Sequence, residues 1–148
     1  MAVTLLGIEL ELPAHKFLLA AANRVLESED YADADVSIVL SDNDTLHELN
    51  LQYRGKDKPT DVLSFSQLET ASEDPLLPNQ ESLPINLGDV IISVERAKHQ
   101  ALEHRVTIEE ELALLTVHGI LHLVGYEDET DAGVELMRKR ETELGVRG

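Results

Sequence analysis

Apolar residues recur along this chain with two periods, and the switches between them mark the elements. Val3, Leu5, Ile8, Leu10 and Leu12 alternate loosely with polar neighbours, which predicts an opening strand over 3–12. Pro13 suits a helix start, because the first turn does not need its missing N–H. Phe17, Leu18, Ala21, Ala22, Val25 and Leu26 then repeat at helical spacing. Val36-Ser37-Ile38-Val39-Leu40 is a short β-branched strand, and Ser41 or Asp42 caps a helix with Leu46, Leu49 and Leu51 as its apolar positions. Gly55 and Pro59 punctuate a loop over Arg54 to Pro59. Asp61 to Phe65 predicts a third strand and Leu87 to Ser93 a fourth. Between them Glu69 to Pro84 carries three prolines and four acids and reads as a mobile loop.

The C-terminal third reads as helical. One helix runs through Ala97 and Ala101 to about His104. Thr107-Ile108-Glu109-Glu110 has the spacing of a capping box, with Thr107 as N-cap and Glu110 reaching back to it. The helix it opens, about Ile108 to Val124, is apolar on nearly every side from Leu112 onward, the mark of a central buried helix. Gly125 is placed to end it, and a last amphipathic helix covers about Thr130 to Leu144. The expected fold is α+β: a single domain over 1–148, with about four strands in a mixed sheet and about five helices packed on it.

Composition narrows the chemistry. The chain has 148 residues and no cysteine, so disulfides and cysteine-based zinc sites are excluded. Its first residues lack a basic stretch, and Glu9 and Glu11 interrupt the only apolar run. No signal peptide or membrane span is expected, and the cytoplasm is the expected address. The formal net charge of −17 argues against a generic nucleic-acid binder, because phosphate contacts need Lys and Arg. The distribution softens this. No Lys or Arg lies between Lys58 and Arg96, while Arg54, Lys56 and Lys58 crowd one short loop. An acidic body with a local basic tongue can hold an anion at one spot.

His118 and His122 are four residues apart on the buried helix, so they project from one face, a turn from each other. A lone histidine there would be read as a hydrogen-bonded core residue. Two at this spacing in an otherwise apolar helix are costly to bury unpartnered, and a shared cation answers that cost. Glu127, Asp128, Glu129 and Asp131 follow the Gly125 bend, and a carboxylate six residues past His122, Asp128, makes a workable three-point cradle with the two rings of the buried central helix, the expected place of a metal site. Acids at the start of the next helix are also favoured by its dipole alone. Zinc accepts imidazole and carboxylate ligands and keeps an open position in catalytic sites. Zincin peptidases place a glutamate base directly after the first histidine; here that residue is Gly119.

The run His118-Gly119-Ile120-Leu121-His122-Leu123-Val124-Gly125-Tyr126-Glu127-Asp128 resembles the signature of the YbeY family, His-Gly-x-Leu-His-Leu-x-Gly-Tyr-Asp-His. Tyr53-Arg54-Gly55-Lys56-Asp57 with Pro59-Thr60-Asp61-Val62-Leu63-Ser64-Phe65 resembles its second block, Leu87 to Ser93 its third, and Met137 also fits. The resemblance implies a single-strand-specific, metal-dependent endoribonuclease with one divalent ion, usually zinc. Its implied roles are maturation of the 3′ end of 16S rRNA and ribosome quality control. The implied partners are single-stranded rRNA and the small ribosomal subunit with its proteins. His118, His122 and, by position, Asp128 are the implied ligands, and Arg54 matches an arginine considered important for RNA. Two departures stand out: Asp128 replaces the third histidine and Glu127 the aspartate before it. A carboxylate in place of an imidazole leaves the cation less positive, so bound water is less acidic and harder divalent metals are better tolerated. The residues identify no general base, and attack by water or by the RNA 2′-hydroxyl both remain open. A non-catalytic, metal-containing ribosome-assembly factor is the alternative function, and Gly119 puts a metallopeptidase behind both.

Overall fold

The computed structural model describes residues 2–8, 12–67 and 85–146. Four strands, β1 (Ala2–Gly7), β2 (Asp35–Ser41), β3 (Val62–Ser66) and β4 (Asn86–Ser93), form one mixed sheet in the order β1-β2-β4-β3. β1 and β4 both run parallel to β2, and β3 is an antiparallel edge strand on β4. Five helices accompany them: α1 (Leu12–Ser28), α2 (Asn43–Arg54), α3 (Val94–His104), α4 (Ile108–Leu123) and α5 (Asp131–Glu143). The expected α+β fold is what the chain adopts. No helix among the described residues is long and apolar enough to cross a membrane.

The alternation in β2 is the simplest cause of the core. Val36, Ile38 and Leu40 are buried while the residues between them are half-buried, so one face of the strand is driven inward. Val90 pairs with Ile38 and Ile92 with Leu40, and both are buried beside them. Leu18, Ala22, Val25 and Leu26 of α1 and Leu112, Ile120 and Leu121 of α4 complete the same cluster. α4 thus lies across the sheet as the central helix, touching α1, α3, β3 and β4. Each fully buried leucine or isoleucine there contributes about 1.5–3 kcal/mol.

Several boundaries differ from the sequence expectation. The opening strand stops at Gly7, short of 12, and Leu12 already belongs to α1. Its neighbour β2 ends at Ser41, so no ladder partner continues beyond. Two leucines spaced by two cannot distinguish a strand end from a helix start. Leu51 is 49% exposed and so is not a core position. Asp42, not Ser41, is the cap of α2, accepting from the Thr45 N–H at 2.8 Å. The loop expected over 69–84 lies outside the described residues.

Candidate metal centre

α4 begins as its sequence requires. Thr107 Oγ1 accepts from the Glu110 N–H at 3.1 Å, and the Glu110 carboxylate accepts from the Thr107 N–H in return. The helix then passes so close to the sheet that Gly119 has no room for a side chain. A Cβ there would sit 2.4 Å from Val90 Cγ1 and 3.2 Å from Ser64 Oγ. Two hydroxyls of the edge strand bond the helix backbone: Ser64 Oγ donates to the Gly119 carbonyl at 2.8 Å, and Ser66 Oγ to that of Leu123 at 3.2 Å. The contact fixes the height of α4 over β3. It also explains why no glutamate follows His118.

After Leu123 the chain leaves the helix through Gly125, whose φ of +109° turns it back over the last turn of α4. That bend carries Asp128 to the two histidines. His118 Nε2 and His122 Nε2 are 3.2 Å apart, and Asp128 Oδ2 lies 3.6 Å from the first and 3.4 Å from the second. These three are the residues among those described whose donor atoms are grouped closely enough to share an ion. Ligand atoms 2.0–2.1 Å from a tetrahedral zinc lie roughly 3.3–3.4 Å apart, so the spacing fits. Glu127 takes the structural part instead. Its carboxylate accepts from the N–H groups of Glu129 and Thr130 and from Thr130 Oγ1, bracing the start of α5. The Thr130 hydroxyl bond, followed by the Glu129 N–H, holds its pKa below the ordinary value.

The other ring nitrogens determine which way the lone pairs point. His118 Nδ1 is 3.1 Å from Glu141 Oε2, and His122 Nδ1 is 3.0 Å from the Tyr126 carbonyl. Both partners accept, so both Nδ1 atoms carry the proton and both Nε2 atoms present a lone pair. Three acceptors therefore face one point with no donor among them, an arrangement that a cation resolves. The C-terminal end of α4 adds its negative dipole.

Burial works to lower the pKa of His118, but the Glu141 hydrogen bond, with the charges of Glu141, Asp128 and Asp61, outweighs it and holds the ring above 6.5. A proton and a bound metal ion would compete for the same nitrogen.

Glu141 is the functional residue that sequence reasoning missed. It is 1% exposed on α5, and a lone acid on an amphipathic helix carries no signal of its inward direction. A second brace comes from Glu29, whose carboxylate accepts from Arg140 Nε at 2.7 Å and from the Tyr126 hydroxyl at 3.3 Å. It ties the bend that holds His122 to the end of α1.

Arg54 stands apart from the three ligand candidates. It ends α2, donates through one NH2 group to the Ser64 carbonyl at 2.8 Å, and lies 5.8 Å from the Phe65 ring centroid. It reaches the edge of β3, the strand whose Ser64 side chain touches α4. Asp61 accepts from Gln100 at 3.2 Å and Ser64 bonds backbone, the ordinary duties expected of strand-end polar residues. His47, His99 and His104 each pair with an acid, respectively Asp57, Glu103 and the buried Glu111. None of them approaches a second ligand-type group in the clusters that the described residues form.

Comparison with known proteins adds an independent line. The family model "Endoribonuclease YbeY" matches residues 9–147. A protein named endoribonuclease YbeY from Desulfitobacterium hafniense is 47% identical, covering 81% of this chain and 75% of its own. One of the same name from Pelotomaculum thermopropionicum is 44% identical over 86% of this chain and 81% of its own. A solution structure from Thermotoga maritima superposes with a TM-score of 0.58 at 30% identity, covering 97% of this chain and 89% of that one.

Proposed function

The chain belongs to the YbeY family, and from that premise we propose that it is a metal-dependent endoribonuclease that cleaves single-stranded RNA. The observation that carries the reading is the convergence of His118 Nε2, His122 Nε2 and Asp128 Oδ2 at 3.2–3.6 Å with no donor among them. These residues hold one divalent ion, zinc by the match of nitrogen and carboxylate donors at tetrahedral spacing. When bound, such an ion supplies Lewis acidity toward a phosphate oxygen and toward water. Glu141 and the Tyr126 carbonyl keep the protons on Nδ1, so the ring nitrogens that face the site present their lone pairs. Arg54 grips the scissile strand's phosphate with its planar fork; a guanidinium has five N–H donors, and holding Ser64 uses few of them.

The substrate we assign is rRNA, at the 3′ end of 16S, with a further part in ribosome quality control in the cytoplasm. A net charge of −17 favours docking of the acidic body on basic proteins of the small ribosomal subunit, leaving the basic loop to the RNA. The same charge favours a second reading, an assembly factor whose ion is structural. One experiment separates them: purified protein is assayed on single-stranded RNA with and without chelator, beside His118→Ala. Cleavage that chelator and substitution both abolish supports the nuclease; full metal content without cleavage sinks it. Replacing the substrate by its 2′-deoxy counterpart decides the nucleophile, since cleavage of the deoxy strand excludes 2′-hydroxyl attack.

A further inference from the structure

This chain is poor in aromatic residues, with three tyrosines, two phenylalanines and no tryptophan. Two of the five meet beside Arg54. The Tyr53 and Phe65 rings stack edge to face with centroids 5.3 Å apart, and the Arg54 guanidinium lies 5.8 Å from the centroid of Phe65. A pair of this kind is normally turned inward, yet Tyr53 is 59% exposed. Within the next residues come Lys56 and Lys58, both exposed, on a protein that is otherwise strongly acidic.

The position of this pair matters as much as its exposure. Successive residues of β3 point to opposite faces of the sheet. Ser64 and Ser66 point toward α4, where they bond the Gly119 and Leu123 carbonyls. Phe65 therefore points to the other face, where Tyr53 meets it. Arg54 sits at the outer edge of β3, between the two faces, bonded to the Ser64 carbonyl. Among the described residues no strand pairs with β3 on that side. A chain laid over that edge meets the histidine helix on one side, a cation at the rim and an aromatic surface on the other.

We propose that Tyr53, backed by Phe65, is a base-stacking subsite for an unpaired nucleotide next to the phosphate held by Arg54. The proposal rests on the reading of the chain as an RNA nuclease and adds to it how single strands are selected. A flat ring stacks on any unpaired base whatever its identity, whereas a base inside a duplex has both faces covered. The subsite is thus indifferent to sequence and sensitive to pairing. A protein partner would use the same exposed ring differently, through side-chain packing that nucleobases cannot replace.

The absence of tryptophan makes the test clean. Tyr53→Trp places a single indole at the subsite in the metal-loaded protein, and its fluorescence is followed in stopped flow on mixing with a short single-stranded RNA. Quenching by that RNA, and not by the same backbone made abasic or by a hairpin duplex, is expected. In steady-state cleavage Tyr53→Ala should raise KM about 10- to 100-fold with kcat little changed, while Tyr53→Phe stays within about 3-fold of wild type. Equal response to the abasic strand, or an unchanged KM in Tyr53→Ala while wild type cleaves normally, overturns the subsite and leaves the nuclease reading standing. Base-dependent quenching by a wild-type-like protein that never cleaves RNA does the reverse.

Discussion

His118 and His122 keep only 25% and 27% of their side-chain surface exposed, and each has a ring nitrogen tied to a fixed acceptor. Across β3, every residue from Arg54 to Pro59 is exposed. That loop is held at three points by α2. The Asn50 amide donates to the Lys58 carbonyl at 2.8 Å, His47 meets Asp57 at 2.6 Å, and the Gly55 N–H closes the helix end. The difference teaches a division of labour. On the proposed reading, groups that would converge on one ion are built on a buried helix and braced by a second layer. Groups that would meet a long, variable strand are left on the surface, away from the core.

The largest test of that division removes a ligand. His118→Ala and His122→Ala should each bring bound metal to background and lower RNA cleavage by about a thousand-fold or more, the several kcal/mol that a Lewis acid supplies. Elemental analysis beside the cleavage assay reads both; full occupancy in either variant would show that the ion sits elsewhere. Next comes the brace. Glu141→Gln should weaken metal affinity about 10- to 100-fold in chelator competition while leaving the circular dichroism spectrum alone. An unchanged affinity would reduce Glu141 to a packing residue. Arg54→Ala should raise KM for RNA by about 10-fold and leave metal content untouched, with Arg54→Lys restoring only part. Loss of metal from Arg54→Ala would show that the two sides of β3 are one unit, and the comparison would fall.

Smallest is a pH effect on the metal-free protein. His118 is held above 6.5 in the fold, so its contribution to stability is full below 6.5 and is lost as pH rises through the elevated value. The melting temperature of chelated wild type should therefore fall more between about pH 6 and about pH 8 than that of His118→Gln. An identical pH response in the two proteins would remove His118 from the account.

How much of this was legible in the sequence follows from where the physical signal resides. The capping box at Thr107, the apolar wrap of α4 and the i, i+4 spacing of the histidines are local, and the structure places those elements as read. The bend at Gly125 and the return of an acid are nearly local. Which acid returns was not decided by spacing alone, since Glu127 and Asp128 are adjacent, and one braces the Thr130 cap of α5 while the other faces the rings. The rest depends on contacts between distant segments. Glu141 reaches a residue 23 positions away, Ser64 a carbonyl 55 away and Glu29 an arginine 111 away. No periodicity records such pairs.

The contact at Gly119 has a consequence for how this scaffold can diversify. The residue after the first histidine is where a zincin keeps the glutamate that activates water, and here that slot is pressed against Val90 and Ser64. A single codon change to any larger residue meets the sheet before it meets a substrate. A glutamate in that slot would have to displace the Val90 and Ser64 side chains or shift α4 off the strands beneath it. Packing at this one position, whatever ion the histidines hold, keeps a zincin's base out of the slot.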